Sequence, residues 1–144
     1  MWGVFIISMI CGYVQALSDA ELKAEFTKIV MGCMKDHPVP ISELMGLQAL
    51  IPPTKKEVKC LLACAYKKEG TMTASGLYDL DHAYKVAELA KEGDEKRLKN
   101  GKKIADICVK VNEIEVSDGE KGCERAGLIF KCVAENAPKY GFKV

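Results

Sequence analysis

The stretch KCLLACAYK, Lys59 to Lys67, places two cysteines four residues apart in a run that is uncharged between its lysines, and this spacing constrains the fold. On a helix, which turns about 100° per residue, the aliphatic residues fall on one side and both cysteines fall on the opposite flank. Because the seven residues from Cys60 to Tyr66 are uncharged, we expect both sides of this helix to be buried. This predicts a helix in the middle of the molecule that is bonded to two different neighbouring segments. The cysteines themselves fit a redox pair, half of a metal site or two disulfide bonds.

The first sixteen residues, MWGVFIISMICGYVQA, carry no charged side chain, while the rest of the chain carries all 21 basic and 20 acidic residues. The apolar run from Trp2 to Ile10 is too short to span a bilayer. It ends in VQA, with small residues at the positions that signal peptidase reads. We therefore predict a signal peptide, residues 1–16, cleaved after Ala16, and a secreted mature chain of one domain, Leu17–Val144. The alternative is a buried N-terminal helix.

Cleavage would remove Cys11 and reduce seven cysteines to six. An even number in a secreted chain of this size predicts a disulfide framework. The residues alone leave the pairing open. They argue only against a bond between Cys60 and Cys64, which would cross-link a single helical turn and constrain little. The six cysteines are Cys33, Cys60, Cys64, Cys108, Cys123 and Cys132.

The mature chain is predicted to be all-α, with about six helices, because apolar residues recur at helical spacing and no segment alternates with a period of two. Nearly half of all residues, 49%, are hydrophobic, which suffices for a packed core or for a core with a cavity. The expected helices run from a capping box at Ser18–Glu21 to about 36, from a Ser42 cap to about 50, from about 55 to 69, from about 79 to 91, from an Asp94 cap onward, and from about 120 to 137.

The cysteine spacing is C-x26-C-x3-C-x43-C-x14-C-x8-C. Together with the predicted signal peptide and six helices, it resembles the insect odorant-binding proteins, which include the pheromone-binding proteins. The x3 and x8 intervals are the most specific part of the resemblance, and the x14 interval is long for that family. PPTKKEVKCLLAC and CERAGLIFKCVAENA are similar to the family in more than spacing.

The resemblance implies a helical shell around an apolar cavity, stapled by three interlocked disulfides: Cys33 with Cys64, Cys60 with Cys123, and Cys108 with Cys132. It implies a non-enzymatic carrier of a small apolar ligand, with no cofactor or metal. Tyr66 and Thr71 stand out among the pocket candidates, because a buried hydroxyl needs a partner. The candidates are Phe26, Ile29, Leu62, Tyr66, Thr71, Met72, Tyr78, Leu89, Ile104, Ala126, Phe130, Val133 and Phe142.

Further partners that we consider are an olfactory receptor and a second copy of the chain. A net charge of +1 gives no reason to expect nucleic acid binding, and no stable membrane insertion is expected. Only twelve residues follow Cys132, so the tail ending in YGFKV can act at most as a lid. The terminal carboxylate and His82 are candidate pH levers for release, and His37 is expected at a helix end.

Three other classes are weaker fits. An enzyme has few ways to assemble from two histidines, and the two Asp-His pairs lack the neighbouring cysteines and calcium loop of a secreted phospholipase. A zinc site would need reduced thiols and a second close pair. A saposin-like lipid-binding module would be shorter, with different cysteine spacing. A carrier of lipids or hormones outside olfactory organs is the alternative within the favoured class, because the sequence does not specify the tissue.

Overall fold

The structure is a computed structural model that describes residues 17–144, so the predicted signal peptide and its cleavage site lie outside the described residues. The all-α prediction is confirmed. Within the described chain, the one β-type contact is an isolated bridge between Met72 and Tyr78. The helices are α1 (Asp19–Cys33), α2 (Ile41–Gln48), α3 (Lys56–Glu69), α4 (Leu80–Ala90), α5 (Glu95–Cys108) and α6 (Cys123–Asn136), with short 3-10 turns at Val109–Glu113, Gly119–Lys121 and Pro138–Tyr140.

Two predicted helix starts are confirmed by their side-chain caps. The Ser18 hydroxyl accepts from the Glu21 amide, and the Glu21 carboxylate accepts from the Ser18 amide, which is the reciprocal capping box. The Asp94 carboxylate accepts from the amides of Lys96 and Arg97 at the start of α5. Asp79 caps α4 in the same way through the His82 amide. These caps satisfy donors that a helix N-terminus otherwise leaves unpaired.

Two predicted starts are wrong. The cap of α2 is Pro40 and not Ser42, because the Pro40 carbonyl already accepts from the amides of Glu43 and Leu44 and so places Ser42 inside the first turn. α6 begins at Cys123 and not at 120, because Gly122 has a left-handed φ of 74° that breaks the helical path. A Cβ on Gly122 would lie 2.5 Å from the Met72 sulfur, so the close approach of the loop also requires glycine.

α3 lies in the middle of the fold and packs against α1 on one side and α6 on the other, as the run Cys60–Tyr66 predicted. On the first side, Val58, Leu61 and Ala65 join a buried cluster with Val30 and other residues of α1 and the following loop. On the second side, Leu62, Ala63 and Tyr66 join the larger cluster. The larger cluster also contains Ile104, Cys108, Ala126 and Ile129.

All three disulfides implied by the resemblance are present. Cys33–Cys64 joins the end of α1 to α3, and Cys60–Cys123 joins α3 to the start of α6. Cys108–Cys132 joins the end of α5 to the second half of α6. Because Cys60 and Cys64 bond to different helices, both act as structural cross-links of α3, and neither is a thiol free to bind zinc.

Candidate ligand-binding cavity

A cavity of about 430 Å³ lies among α1, α3, α4, α5 and α6, with α2 and the C-terminal tail completing its wall. Its volume is within the range of about 300–1,000 Å³ that small-molecule sites occupy. Most of the wall is aliphatic or aromatic. The cavity reaches the protein surface, because the exposed residues Lys23, Met31 and Lys143 also line it.

Ten of the thirteen pocket candidates line this cavity, and their contact with a ligand stays a prediction. The other three lie elsewhere. Met72 is buried below the loop that contains Gly122, and Ala126 is buried in the core beside α3. Leu89 is half-buried on α4 and does not line the cavity. The ten are Phe26, Ile29, Leu62, Tyr66, Thr71, Tyr78, Ile104, Phe130, Val133 and Phe142.

The cavity face of α4 was not predicted from the sequence. Ala83, Val86, Ala87 and Ala90 line the cavity and recur at the three- and four-residue intervals of one helix face. Leu89 was predicted by the resemblance, although its position turns it about 110° away from the centre of that face. The three- and four-residue spacing of these apolar residues is the sequence signal that could have identified this face. The other missed apolar residues include Leu22, Val30, Leu44, Leu47, Leu50, Ala105, Ile129, Ala137 and Val144.

Two tyrosines bring hydroxyl groups to the cavity wall. Tyr66 is buried on α3 and stacks on the Phe26 ring, with the ring centroids 5.4 Å apart. Tyr78 is held at its backbone by Asn112, whose side chain accepts from the Tyr78 amide at 2.8 Å and donates to its carbonyl at 3.0 Å. Burial raises the pKa of both phenols above the ordinary value, and the nearby Glu69 carboxylate raises the pKa of each further. Both groups therefore remain protonated hydrogen-bond donors at neutral pH.

A carboxylate lies beside these phenols in the same wall. One oxygen of Glu69 is 2.7 Å from His82 Nε2, and the other accepts from the amide of Thr71 at 3.0 Å and from the Thr71 hydroxyl. The predicted role of Thr71 therefore changes, because its hydroxyl already donates to Glu69. His82 lies on α4, as expected, and its role as a pH lever stays a prediction.

The C-terminal tail forms one side of the cavity. Phe142 and Val144 line it, and the Arg97 guanidinium lies 4.2 Å from the centroid of the Phe142 ring. Arg97 donates to the carbonyls of Ala90 at 2.7 Å and Gly141 at 3.0 Å and pairs with Asp19. The second Asp19 oxygen accepts from the Lys143 amide at 2.9 Å. These bonds hold the tail against α1 and α5.

No helix in residues 17–144 is long and apolar enough to cross a bilayer. Across the same residues, the His, Cys, Asp and Glu side chains form no group of three or more that could hold a metal ion. The described site therefore offers mainly apolar enclosure, and Tyr66, Tyr78 and Glu69 bring phenol and carboxylate groups to its wall.

A helical shell cross-linked by three disulfides around an apolar cavity defines a small-ligand carrier. The model of the PBP/GOBP family matches residues 15–136, and the chain belongs to this family. General odorant-binding protein 28a of Drosophila melanogaster is 27% identical over 138 residues, which cover 96% of this chain and 93% of that protein. The solved structure of the Drosophila odorant-binding protein OBP28a superposes with a TM-score of 0.69 at 26% identity and covers 87% of this chain and 99% of that one. The family consists of odorant-binding carriers and not of enzymes.

Proposed function

We propose that the mature chain is secreted and carries a small hydrophobic molecule, such as an odorant, a pheromone or a similar semiochemical, through extracellular fluid such as sensillar lymph. The observation that supports this proposal most directly is the cavity of about 430 Å³ with a mostly apolar wall. Membership of the PBP/GOBP family and the names of the Drosophila relatives support a carrier of odorant-like molecules. Ten of the predicted pocket residues are the proposed ligand contacts.

The energetics suit reversible transport. Burial of about ten ligand carbon atoms at roughly 0.8 kcal/mol each contributes about 8 kcal/mol. The loss of ligand freedom on binding reduces this figure, so the expected Kd is micromolar or weaker. Such an affinity permits loading, transit and release. The three disulfides keep the wall in place when the cavity is empty.

The proposed function is tested first by probe uptake. The single tryptophan, Trp2, lies in the predicted signal peptide, so the mature chain offers no tryptophan for quenching assays. The oxidised mature protein would be titrated with an environment-sensitive fluorescent naphthylamine, which is then displaced by volatile alcohols, esters, ketones and hydrocarbons. We expect micromolar uptake and selective displacement. Folded protein that takes up no probe would contradict the carrier function.

A pair of matched variants shows whether the probe enters this cavity. Ala83 lines the cavity from α4, whereas Ala24 is exposed on α1 and does not line it. Ala83→Phe adds a ring to the cavity and should weaken probe binding by at least tenfold, whereas Ala24→Phe should leave it unchanged. Equal binding by both variants would mean that the probe binds outside the cavity. Lipids and hormones belong in the same displacement panel, because a carrier outside olfactory organs would prefer them to odorants.

A further inference from the structure

We propose that the corner formed by Tyr66, Tyr78 and Glu69 selects uncharged ligands with a carbonyl oxygen, such as ketones and esters, and discriminates against carboxylate anions. This inference rests on the proposed carrier function and concerns the same cavity. It derives from the donors that the corner leaves unpaired and from the charge that it already holds. Both features are properties of specific side chains and not of the apolar wall in general.

Within the part of the chain that the structure describes, the two phenol hydroxyls have no protein hydrogen-bond partner. Neither hydroxyl takes part in a side-chain hydrogen bond within residues 17–144, although both side chains are buried, at 8% and 7% exposure. In that part of the chain, the side-chain polar atoms that are fully buried and have no hydrogen-bond partner are Asp118 Oδ1 and Arg125 Nε, and the tyrosine oxygens are not among them. The phenol oxygens therefore keep some accessible surface, and both residues line the cavity. A buried donor without a partner favours a ligand atom that accepts a hydrogen bond.

The acceptor in this corner is already engaged. Glu69 accepts from the backbone and hydroxyl of Thr71 with one oxygen, and its other oxygen contacts His82. A ligand that needs an acceptor for its own hydroxyl must compete with these bonds, whereas a carbonyl oxygen needs only donors. The corner thus supplies two free donors and an occupied acceptor, and this combination favours a carbonyl group over an alcohol.

The charge of Glu69 acts against acidic ligands. The carboxylate is close enough to raise the pKa of both tyrosines, so a second anion hydrogen-bonded to the phenols would be repelled in a cavity of low polarity. The basic residues that line the cavity, Lys23 and Lys143, lie in its exposed wall, and the Lys23 ammonium donates to the Val144 carbonyl at 3.3 Å. A fatty acid whose carboxylate pairs with these lysines would therefore lose hydrogen bonds to the phenols or part of the burial of its chain.

The test compares 2-nonanone, nonanoate and 1-nonene, which have the same number of carbon atoms, as displacers of the fluorescent naphthylamine at pH 8. For the unaltered protein, we expect nonanoate to bind at least tenfold more weakly than 2-nonanone. Tyr66→Phe and Tyr78→Phe should each weaken 2-nonanone binding by about three- to tenfold and leave 1-nonene binding unchanged. Glu69→Gln removes the negative charge and should narrow the gap between nonanoate and 2-nonanone.

Tyr84→Phe is the matched control, because the Tyr84 hydroxyl bonds to Asp106 and Tyr84 does not line the cavity.

The infrared carbonyl stretch of bound 2-nonanone gives a readout that does not depend on the variants folding. A shift to lower frequency than in hexane supports hydrogen bonding to the phenols, and an unshifted band overturns the inference. If the probe binds normally but nonanoate matches the ketone, or the tyrosine variants match the unaltered protein, the selectivity is wrong and the carrier function stands. Absence of probe uptake by the unaltered protein contradicts the carrier function itself.

Discussion

Tyr66 places a polar hydroxyl group in a wall that is otherwise mostly apolar. Its ring contributes to the core and stacks on Phe26, while its hydroxyl lies where water is scarce. Removal from water disfavours the charged phenolate, and this desolvation is the largest cause of the raised pKa of Tyr66. Burial keeps the hydroxyl protonated and able to donate to a ligand. The same burial makes the free energy of unfolding decrease at alkaline pH.

We expect Tyr66→Phe to reduce the loss of stability at high pH. The pKa of Tyr66 is raised in the folded protein, so its contribution is complete below the unfolded value of about 10 and is lost as the pH rises further. In that range the unfolded chain releases the phenol proton and the folded chain retains it. The free energy of unfolding should fall with a slope of up to about 1.4 kcal/mol per pH unit for this tyrosine. Urea unfolding between pH 9 and pH 11 measures the slope, and identical slopes in both proteins would contradict the assignment.

Individual side chains differ in how well the sequence predicted their place and role. Phe26, Tyr66 and Phe130 were placed in the cavity by resemblance and lie in its wall. Thr71 was expected to offer a free hydroxyl, but Glu69, two residues before it in the chain, takes that hydroxyl. Such a local bond depends on how the chain turns after α3, and composition and periodicity do not specify that turn. The pattern therefore indicated which residues line the wall but not which polar groups are free.

Among the helices, α2 is the least firmly held. It has no buried residue and no side-chain cap, its contacts with other helices are sparse, and Ile41 and Met45 on its outer side are 74% and 66% exposed. Its inner side contributes Leu44 and Leu47 to the cavity wall. Leu50, just after the helix, adopts a left-handed φ of 61°, which is unfavourable for a residue other than glycine. A helix with few buried contacts opens locally at low free-energy cost.

We therefore expect α2 to exchange its amide hydrogens fastest among the six helices described and α3 to exchange them slowest. A ligand that fills the cavity should slow exchange in α2 severalfold, because Leu44 and Leu47 gain a packing partner. Hydrogen exchange followed by mass spectrometry of peptides 41–48 and 56–69, with and without the naphthylamine probe, measures both effects. Ligand-independent exchange in α2 would show that this helix takes no part in enclosing the ligand.

At the scale of helices, prediction succeeded where a helix boundary has a strong local cause. Ser18 with Glu21 and Asp94 are side-chain caps that operate within one turn, and they act as expected. The side chain of Asp79 also caps α4, a role that the sequence did not predict. Ser42 failed as a cap because the rigid φ of Pro40 starts the helix earlier. The start of α6 was missed because it depends on the contact between Gly122 and Met72, which are far apart in the chain.

Across the whole molecule, the three disulfides differ in how much of the chain they constrain. Cys60–Cys123 closes a separation of 63 residues, and Cys108–Cys132 closes a separation of 24. In the chain-entropy model, the longer loop costs the unfolded state more freedom, by about 1 kcal/mol for this pair of lengths. The cysteine pattern predicted the presence of the bonds, whereas the resemblance to a family supplied their pairing.

We expect Cys60→Ala with Cys123→Ala to destabilise the protein by about 4 kcal/mol, and Cys108→Ala with Cys132→Ala by about 3 kcal/mol. Urea unfolding of the two double variants and the unaltered protein, all oxidised, measures the difference. Both variants remove two buried or half-buried sulfur atoms, so each controls for the loss of packing in the other. A larger loss for the shorter loop would show that local packing outweighs chain entropy here.

The tail depends on long-range contacts that connect the first and the last of the residues that the structure describes. Arg97 binds the carbonyls of Ala90 and Gly141, pairs with Asp19 and covers the ring of Phe142. Its side chain is only 16% exposed, so these contacts are less screened by water than a surface ion pair would be. One residue of α5 thereby positions the wall that the last three residues contribute to the cavity.

We expect Arg97→Met to weaken ligand binding by about fivefold, equivalent to about 1 kcal/mol, because Phe142 loses its fixed position in the wall. Deletion of residues 142–144 should produce a similar loss and add little in the Arg97→Met background, since both changes disrupt one unit. Lys96→Met is the matched control, because Lys96 is exposed one residue earlier on α5. Probe titration of the unaltered protein, of each change alone and of their combination measures the coupling. Additive losses would show that Arg97 acts on the ligand by a route other than the tail.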